Sequence, residues 1–448
     1  MTSGFLNIFR IPELRRKLWV TIGLLAVYRL GFHIPVPGAN YEGIKDAVGD
    51  QNFVFGIMNS LTGGALGNFV VFALGVMPYI SASIIFSMLT KVVPALEALQ
   101  KEGAVGVKKI NQYTRWATIP ICIVQSLFVI HGMMIPTARA NMTIVDADLI
   151  GGGFAQFGWE MSLILTFTCG TLFMMWLGEQ ITENGIGNGI SLIIMAGIVA
   201  DYPTQYSRLH KVLEPNERWQ MLITLMILFL IIVLGIVYVT KGQRRIPVTH
   251  AKHVKGRRVY GPQKSYLPLR INQANVMPII FANALMVVPH ALAQVPGLGW
   301  LDTTFSWGSF WWVLTESALI FFFSFFWTAL IFQPNEIANN LKEYGGFVPG
   351  LRPGKRTAEE LERIMVRITL VGAAFLAVLS LLPLLVTARI PELPANLAAN
   401  LGSTSILITV GVALDLVDKV NAHVVMRNYD GFMGPGSGSG SWTRGRRG

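Results

Sequence analysis

Ten runs of apolar residues, separated by polar stretches, set the terms for what this chain can fold into. They lie at 18–36, 68–90, 116–136, 157–178, 186–201, 219–240, 273–293, 308–332, 365–387 and 403–422. An apolar run of about 18 or more residues is long enough to cross a bilayer as a helix. Composition agrees, because 52% of the 448 residues are hydrophobic and 14% are charged, where globular chains carry roughly a quarter charged residues. The pattern predicts an all-α membrane protein built as one polytopic bundle of ten transmembrane helices. The fifth run is short and Gly-rich. Ahead of the second lies a weaker stretch, Phe55 to Leu66, broken by Gly63-Gly64. It is too short to span and reads as a re-entrant or half-inserted helix, which survives at membrane depth only inside protein or a water-filled cavity.

Net charge is +11, and its placement gives an orientation. With the N-terminus in the cytosol, the basic residues fall in five cytosolic groups. Arg10, Arg15, Arg16 and Lys17 precede the first run, which lacks a small-residue cleavage site and reads as a retained span. Lys91, Lys101, Lys108, Lys109 and Arg115 follow the second. The segment 241–270 holds Lys241, Arg244, Arg245, Lys252, Lys255, Arg257, Arg258, Lys264 and Arg270. The segment 333–364, with the start of the ninth run, adds Lys342, Arg352, Lys355, Arg356, Arg363 and Arg367, and the tail adds Lys419, Arg427, Arg444, Arg446 and Arg447. Seven of the 36 basic residues lie elsewhere: Arg29, Lys45, Arg139, Arg208, Lys211, Arg218 and Arg389. That bias fits an even number of spans with both ends cytosolic. The two long basic loops carry more charge than orientation needs, and read as docking surfaces for an acidic or nucleic-acid partner. The Gly/Ser-rich end, Gly434 to Gly448, should be disordered.

Several chemistries find no support. No G-x-x-x-x-G-K-[ST] phosphate loop occurs, nor H-E-x-x-H, G-x-S-x-G or a His/Cys cluster with metal-ligand spacing. Cofactors are therefore expected to be none. Cys122 and Cys169 lie inside apolar runs and read as small buried apolar side chains. Ionisable residues at membrane depth mark ion pathways by default. Here Arg29, Glu179, Glu183, Glu316, Asp415 and Asp418 lie toward span ends, and His131 reads as a hydrogen-bonded interior histidine. An inverted-repeat secondary transporter explains ten spans and a broken segment, but not the basic loops or the scarcity of midplane charge. Val76, Ile80 and Ile84 share a face of the second span, Ile190 and Ile194 of the fifth, Val276 and Ile280 of the seventh. From spacing alone such faces read as packing against lipid or other helices. Aimed at a common centre, they would form an apolar constriction that dewets and blocks ions.

Eight segments carry a resemblance: YRLGFHIPVPG (28–38), GGALGNF (63–69), ALGVMPYISASII (73–85), KKINQYTRW (108–116), MWLGEQITENGIGNGIS (175–191), RRIPV with KGRRVYGPQKSYLPLRIN (244–272), FVPGLRPGKRT (347–357) and GSTSILITVGVALDLVDKV (402–420). In order and spacing they resemble the SecY/Sec61-alpha family of protein-translocase channel subunits, over nearly the whole chain except the tail. The resemblance implies ten helices in two pseudo-symmetric inverted halves, forming an hourglass pore with a plug helix. Residues 1–17 would be a cytosolic segment, 18–204 the first half with the plug near 57–67, 205–423 the second half with cytosolic loops 241–272 and 333–364, and 424–448 a cytosolic tail.

The same resemblance implies site residues. The pore ring would be Val76, Ile80, Ile190, Ile194, Ile280 and Ile408, with Val76 one methylene short of isoleucine. The plug would include Ile57, Met58, Leu61, Gly63, Gly64, Ala65 and Leu66, its marginal burial making it displaceable. Ile84, Thr90, Gln125 and Asn283 would belong to the lateral gate, its polar members forming a cluster of modest interhelical hydrogen bonds, about 0.6–2 kcal/mol each. Arg244, Arg245, Arg257, Arg258 and Arg352 would dock the ribosome and the SecA motor ATPase. The implied partners are also the small membrane subunits SecE and SecG, secretory polypeptides with signal sequences, and lipid. The location would be the bacterial plasma (inner) membrane. The expected function is passive conduction of unfolded polypeptide, with lateral release of membrane proteins and no enzyme activity of its own.

Overall fold

Long apolar runs punctuated by Gly and Pro become long helices broken at those residues. The computed structural model describes residues 12–38, 62–135, 153–212, 218–250, 253–255, 258–260, 264–293, 299–306, 308–389 and 403–433. The helices of the first half are α1 (Pro12–Leu30), α2 (Met77–Val92), α3 (Pro94–Lys101), α4 (Ala104–Val129, continued by a π turn Ile130–Met134), α5 (Phe154–Asn184) and α6 (Gly189–Val212). Then follow α7 (Arg218–Lys241), strands β1 (Gln243–His250), β2 (His253–Lys255), β3 (Arg258–Tyr260) and β4 (Lys264–Arg270), α8 (Met277–Ala293), α9 (Trp300–Thr304) and α10 (Phe310–Ile331). The remainder is α11 (Pro334–Glu343), β5 (Gly346–Phe347), α12 (Lys355–Ser380), α13 (Leu382–Arg389) and α14 (Ser403–Met433).

Among the described residues ten helices reach 16 residues or more, and each falls on one of the ten apolar runs. Four are long and apolar enough to cross a membrane by themselves, or five if α2 and α3, bent by 98° at Val93-Pro94, are taken as one span. Several of the rest extend into charged ends, as α1 does through Arg15, Arg16 and Lys17 and α4 through Lys108 and Lys109. Charge there dilutes the hydropathy, although the apolar part of each helix is continuous.

Several boundaries move. The first helix starts at Pro12 and ends at Leu30. The second run begins as irregular turns, and its helix starts only at Met77, where Pro78 supplies the fixed φ of a first turn after Gly75 at φ +59. The last helix runs on to Met433, beyond the expected boundary at 423.

Two apolar cores organise the first half. One joins Val36, Phe69 and Leu74 to Ile130 of the π turn and to Trp159, Leu163 and Phe167 of α5. The other joins Tyr28 and Phe32 to Phe72, Val76, Leu177, Ile181 and Ile193. The second half has its own core of Ile232, Ile236, Ile279, Ile320, Leu376, Ile406 and Leu407. Helix α14 belongs to both halves, because its Val412 and Leu416 pack on the Tyr28 core.

The two basic loops are more ordered than reading them as connections implies. Strands β4, β1 and β5 form one antiparallel sheet, with Ile246 opposite Leu267 and Thr249 opposite Phe347. Ile246 and Leu269 turn inward onto Phe332, Val348, Leu361 and Met365. Strands β1, β4 and β5 therefore join the two loops in one sheet that rests on the start of α12.

Candidate functional site

The expected ring residues sit where short motifs fix the backbone. Val76 is the residue before α2, and Ile80 stands one turn in. Ile190 and Ile194 lie at the start of α6, which Asn188 caps by accepting from the backbone N–H of Ile190 (3.1 Å) and Ser191 (3.4 Å). Thr182 Oγ1 accepts from Gly189 N–H at 2.9 Å, and Gly189 approaches the Gly178 backbone so closely that neither position has room for a side chain. Val76 and Ile190 share the Tyr28 core, whereas Ile80 packs in a different cluster. Val76 and Ile408 are buried; Ile80, Ile190, Ile194 and Ile280 are half-buried.

That different cluster is an apolar contact between the two halves, distinct from the packing of α14 on the Tyr28 core. Ile80, Ile84 and Met88 of α2 meet Ala274, Met277 and Phe281 from the start of α8, and Phe323, Trp327 and Leu330 of α10. Phe281 stands 5.1 Å from Phe323 and 5.6 Å from Trp327 between ring centroids, spacing typical of favourable aromatic pairs. The Nε1 of Trp327 is buried without a hydrogen-bond partner among the described residues. In the last turn of α2, Lys91 Nζ donates to the Gln333 amide oxygen at 2.6 Å while the Gln333 nitrogen donates to Glu336, so a polar link closes that end of the seam.

The expected polar cluster does not form. Thr90 donates to the Ser87 carbonyl within its own helix at 2.8 Å. Gln125 donates to Ser81 Oγ at 3.5 Å, joining α4 to α2 inside the first half. Asn283 donates to Thr404 Oγ1 at 3.4 Å, joining α8 to α14. Of the four gate residues only Ile84 stands in the seam. Sequence reasoning missed Met277, Phe281, Phe323 and Trp327, although Met277/Phe281 and Phe323/Trp327 are both i, i+4 pairs.

Of the plug residues, Ile57, Met58 and Leu61 lie outside the described residues. Gly63, Gly64, Ala65 and Leu66 form turns rather than a helix, and all four are buried. Marginal burial therefore does not hold for these four residues. A Cβ at Gly63 would stand 2.5 Å from the Cα of Gly197 in α6, so the two backbones touch. The chain just after the segment pairs with the chain after α1, through Val36 N–H to Phe69 O (2.9 Å) and Val71 N–H to Ile34 O (3.1 Å). Trp159 Nε1 donates to Pro37 O at 2.9 Å, so the HIPVPG motif serves as a strap.

On the docking side, Arg244 and Arg245 are exposed on β1. Arg352 is exposed in the turn between Gly350 and Gly354, both at positive φ, and its carbonyl accepts from Thr357 Oγ1 at 2.9 Å. Arg258 begins β3, and Arg257 lies outside the described residues. Nearby in α3, Lys101 pairs with Glu97 at 2.7 Å and holds that exposed carboxyl below its ordinary range.

Other ionisable groups are spoken for or displaced from their expected places. Arg115 pairs with Glu179 at 2.7 Å and Lys241 with Asp418 at 2.8 Å. Arg29 lies over the Phe32 ring, 4.9 Å from its centroid. His131 is exposed, 3.8 Å from Glu160, and so is not an interior histidine. Cys169 is exposed too, unlike buried Cys122. Glu316, near the start of α10, is also buried, and Ser380, the last residue of α12, donates to it at 2.7 Å. Among the described residues no group of three His, Cys, Asp or Glu could hold a metal ion.

Comparison with known proteins places this arrangement. The SecY family model matches residues 70–417. The protein translocase subunit SecY of Thermotoga maritima is 41% identical, with all of both chains aligned. A solved protein-conducting channel superposes with a TM-score of 0.57 at 18% identity, over 93% of this chain and 96% of that one. A second solved structure, described by a SecY plug domain that stabilises the closed state and maintains a membrane seal, gives 0.55 at 18% identity over the same shares.

Proposed function

This chain belongs to the SecY family and is the channel subunit of a protein translocase, and from that premise we propose how its parts divide the work. Ten spans, five in each half, enclose an hourglass pore with both chain ends in the cytosol of a bacterial cell, in its plasma membrane. Val76, Ile80, Ile190, Ile194, Ile280 and Ile408 converge as an aliphatic ring. Aliphatic side chains make no directional bonds, so the ring parts around varied segments and closes behind them. Residues 57–66 form the plug on one side of the ring.

The lateral gate is the apolar seam of α2 against α8 and α10. Its closed state rests on apolar packing, with the Lys91–Gln333–Glu336 link at one end, so a hydrophobic signal sequence can replace most of the same contacts as it enters. The single observation that carries this reading is the Ile84–Phe281–Trp327 cluster, the apolar contact of α2 with the other half. Arg244, Arg245, Arg257, Arg258 and Arg352 form one basic surface; the sheet that joins β1 to β5 supports this for Arg244, Arg245 and Arg352. Guanidinium groups suit RNA phosphates and acidic grooves, which fits a ribosome or the SecA motor. With no phosphate loop in the chain, driving energy comes from that partner, and SecE and SecG complete the membrane complex.

The test is capture of a stalled secretory chain in membranes by a photoreactive residue at Ile80. Cross-links to the secretory chain are expected. Labelling of lipid alone would refute the pore.

A further inference from the structure

We propose that Gly63 and Gly197 form the fixed anchor of the plug segment, so that Gly63–Leu66 stays on α6 while the channel conducts. This rests on the channel reading above, divides its plug into a fixed and a movable part, and gives a role to Gly197 and Tyr28, which that reading does not use.

The geometry is a backbone-to-backbone contact. A Cβ on Gly63 would meet Gly197 Cα at 2.5 Å and its carbonyl carbon at 2.8 Å, and Gly63 itself takes φ +67, a region that disfavours side chains. From the other side, a Cβ on Gly197 would stand 2.7 Å from the Tyr28 hydroxyl and 3.2 Å from Gly63 Cα. Tyr28 cannot easily withdraw: it is 2% exposed and packs against Phe32 and Phe72. The rest of the segment is equally fastened. Thr62 Oγ1 accepts from Leu66 N–H at 3.3 Å, and Thr62 lies under Gly75. Val71 presses its carbonyl onto Gly170 of α5, and Phe72 occupies the space beside Gly31. Lifting Gly63–Leu66 off α6 would break the Gly63–Gly197 approach, while Val71 and Phe72 hold the chain that follows, so a displaced plug must bend away before Gly63.

The experiment is a lock. In the complete translocase, reconstituted in proteoliposomes with Cys122→Ser and Cys169→Ser, Gly64→Cys and Asp201→Cys are introduced together. The Asp201 carboxylate carbon, where a cysteine sulfur would stand, lies 3.8 Å from where a Gly64 Cβ would be, within reach of a disulfide; Gly64 takes φ +86, so Gly64→Cys alone is the control for the strain its side chain brings. The bond is expected to form in the resting channel, and the oxidised channel is expected to translocate a secretory chain at no less than half its reduced rate. A tenfold loss on oxidation, with the cysteine-free channel unaffected by oxidant, would overturn the anchor. Absence of translocation by the cysteine-free channel would instead sink the channel reading.

A second arm reads the seal. Gly197→Ala is expected to raise resting ion leak severalfold at normal membrane abundance, and added Tyr28→Phe, which removes the hydroxyl in the way, to bring the leak back toward wild type. Gly158→Ala, where a Cβ meets nothing within 4 Å, is the control and should leave the leak unchanged. A Gly197→Ala channel as tight as wild type would count against the anchor.

Discussion

Truncating Ile84 should shift the channel toward its laterally open state, and the size of the shift follows from where the side chain sits. Ile84 is 5% exposed and packs with Ala274 and Trp327 at the centre of the seam. In a soluble core, Ile→Ala costs about 2–5 kcal/mol, divided between transfer to water and the cavity left behind. At the gate the transfer part largely cancels, because the opened seam meets lipid tails or an apolar signal sequence rather than water. What remains is the cavity in the closed state, about 1–2 kcal/mol. That corresponds to a roughly 5- to 30-fold rise in the open-to-closed ratio. Gln125→Leu makes the contrast: it removes one long hydrogen bond to Ser81 within the same half, about 0.6 kcal/mol, or less than about threefold. The assay is translocation of a secretory chain with a weakened signal sequence into proteoliposomes, at matched channel abundance. Ile84→Ala should accept the weak signal far better than wild type, and Gln125→Leu hardly better. The reverse order, or no effect of Ile84→Ala, would refute the apolar-seam argument.

Polar substitution in the ring, Ile80→Asn or Ile408→Asn, should raise resting ion conductance, measured across a planar bilayer; an unchanged seal means these residues do not line the constriction. Ser380→Ala strips Glu316 of its hydrogen-bond donor and should destabilise the second half by about 1–3 kcal/mol, read as a lower midpoint of thermal aggregation in detergent. Glu316→Leu, which removes the buried carboxylate altogether, should be neutral or stabilising in the same assay. Arg352→Glu should weaken ribosome and motor binding while membrane insertion stays normal, since only its backbone carbonyl is used internally; unchanged affinity for both would remove it from the docking surface.

The ten apolar runs determined the ten long helices, because a bilayer leaves an apolar run of that length little choice but to close its own backbone hydrogen bonds. The basic loops were legible for the same kind of reason: charge cannot follow the chain into hydrocarbon. The helix start at Met77 was local too, decided by Gly75 and Pro78. What the sequence left open were matters of partner rather than of period. Ile84, Met277, Phe281 and Trp327 lie on three different helices, and an i, i+4 pair on one helix does not say which helix it will face. The Thr90, Gln125 and Asn283 cluster failed for that reason, each side chain finding a nearer polar neighbour in Ser87, Ser81 or Thr404. Likewise Gly63-Gly64 read as a bend in a loosely held helix. Only the fold brings Gly197, 134 positions later, against Gly63, and a contact between two backbones leaves no side-chain pattern in either segment from which it could be read.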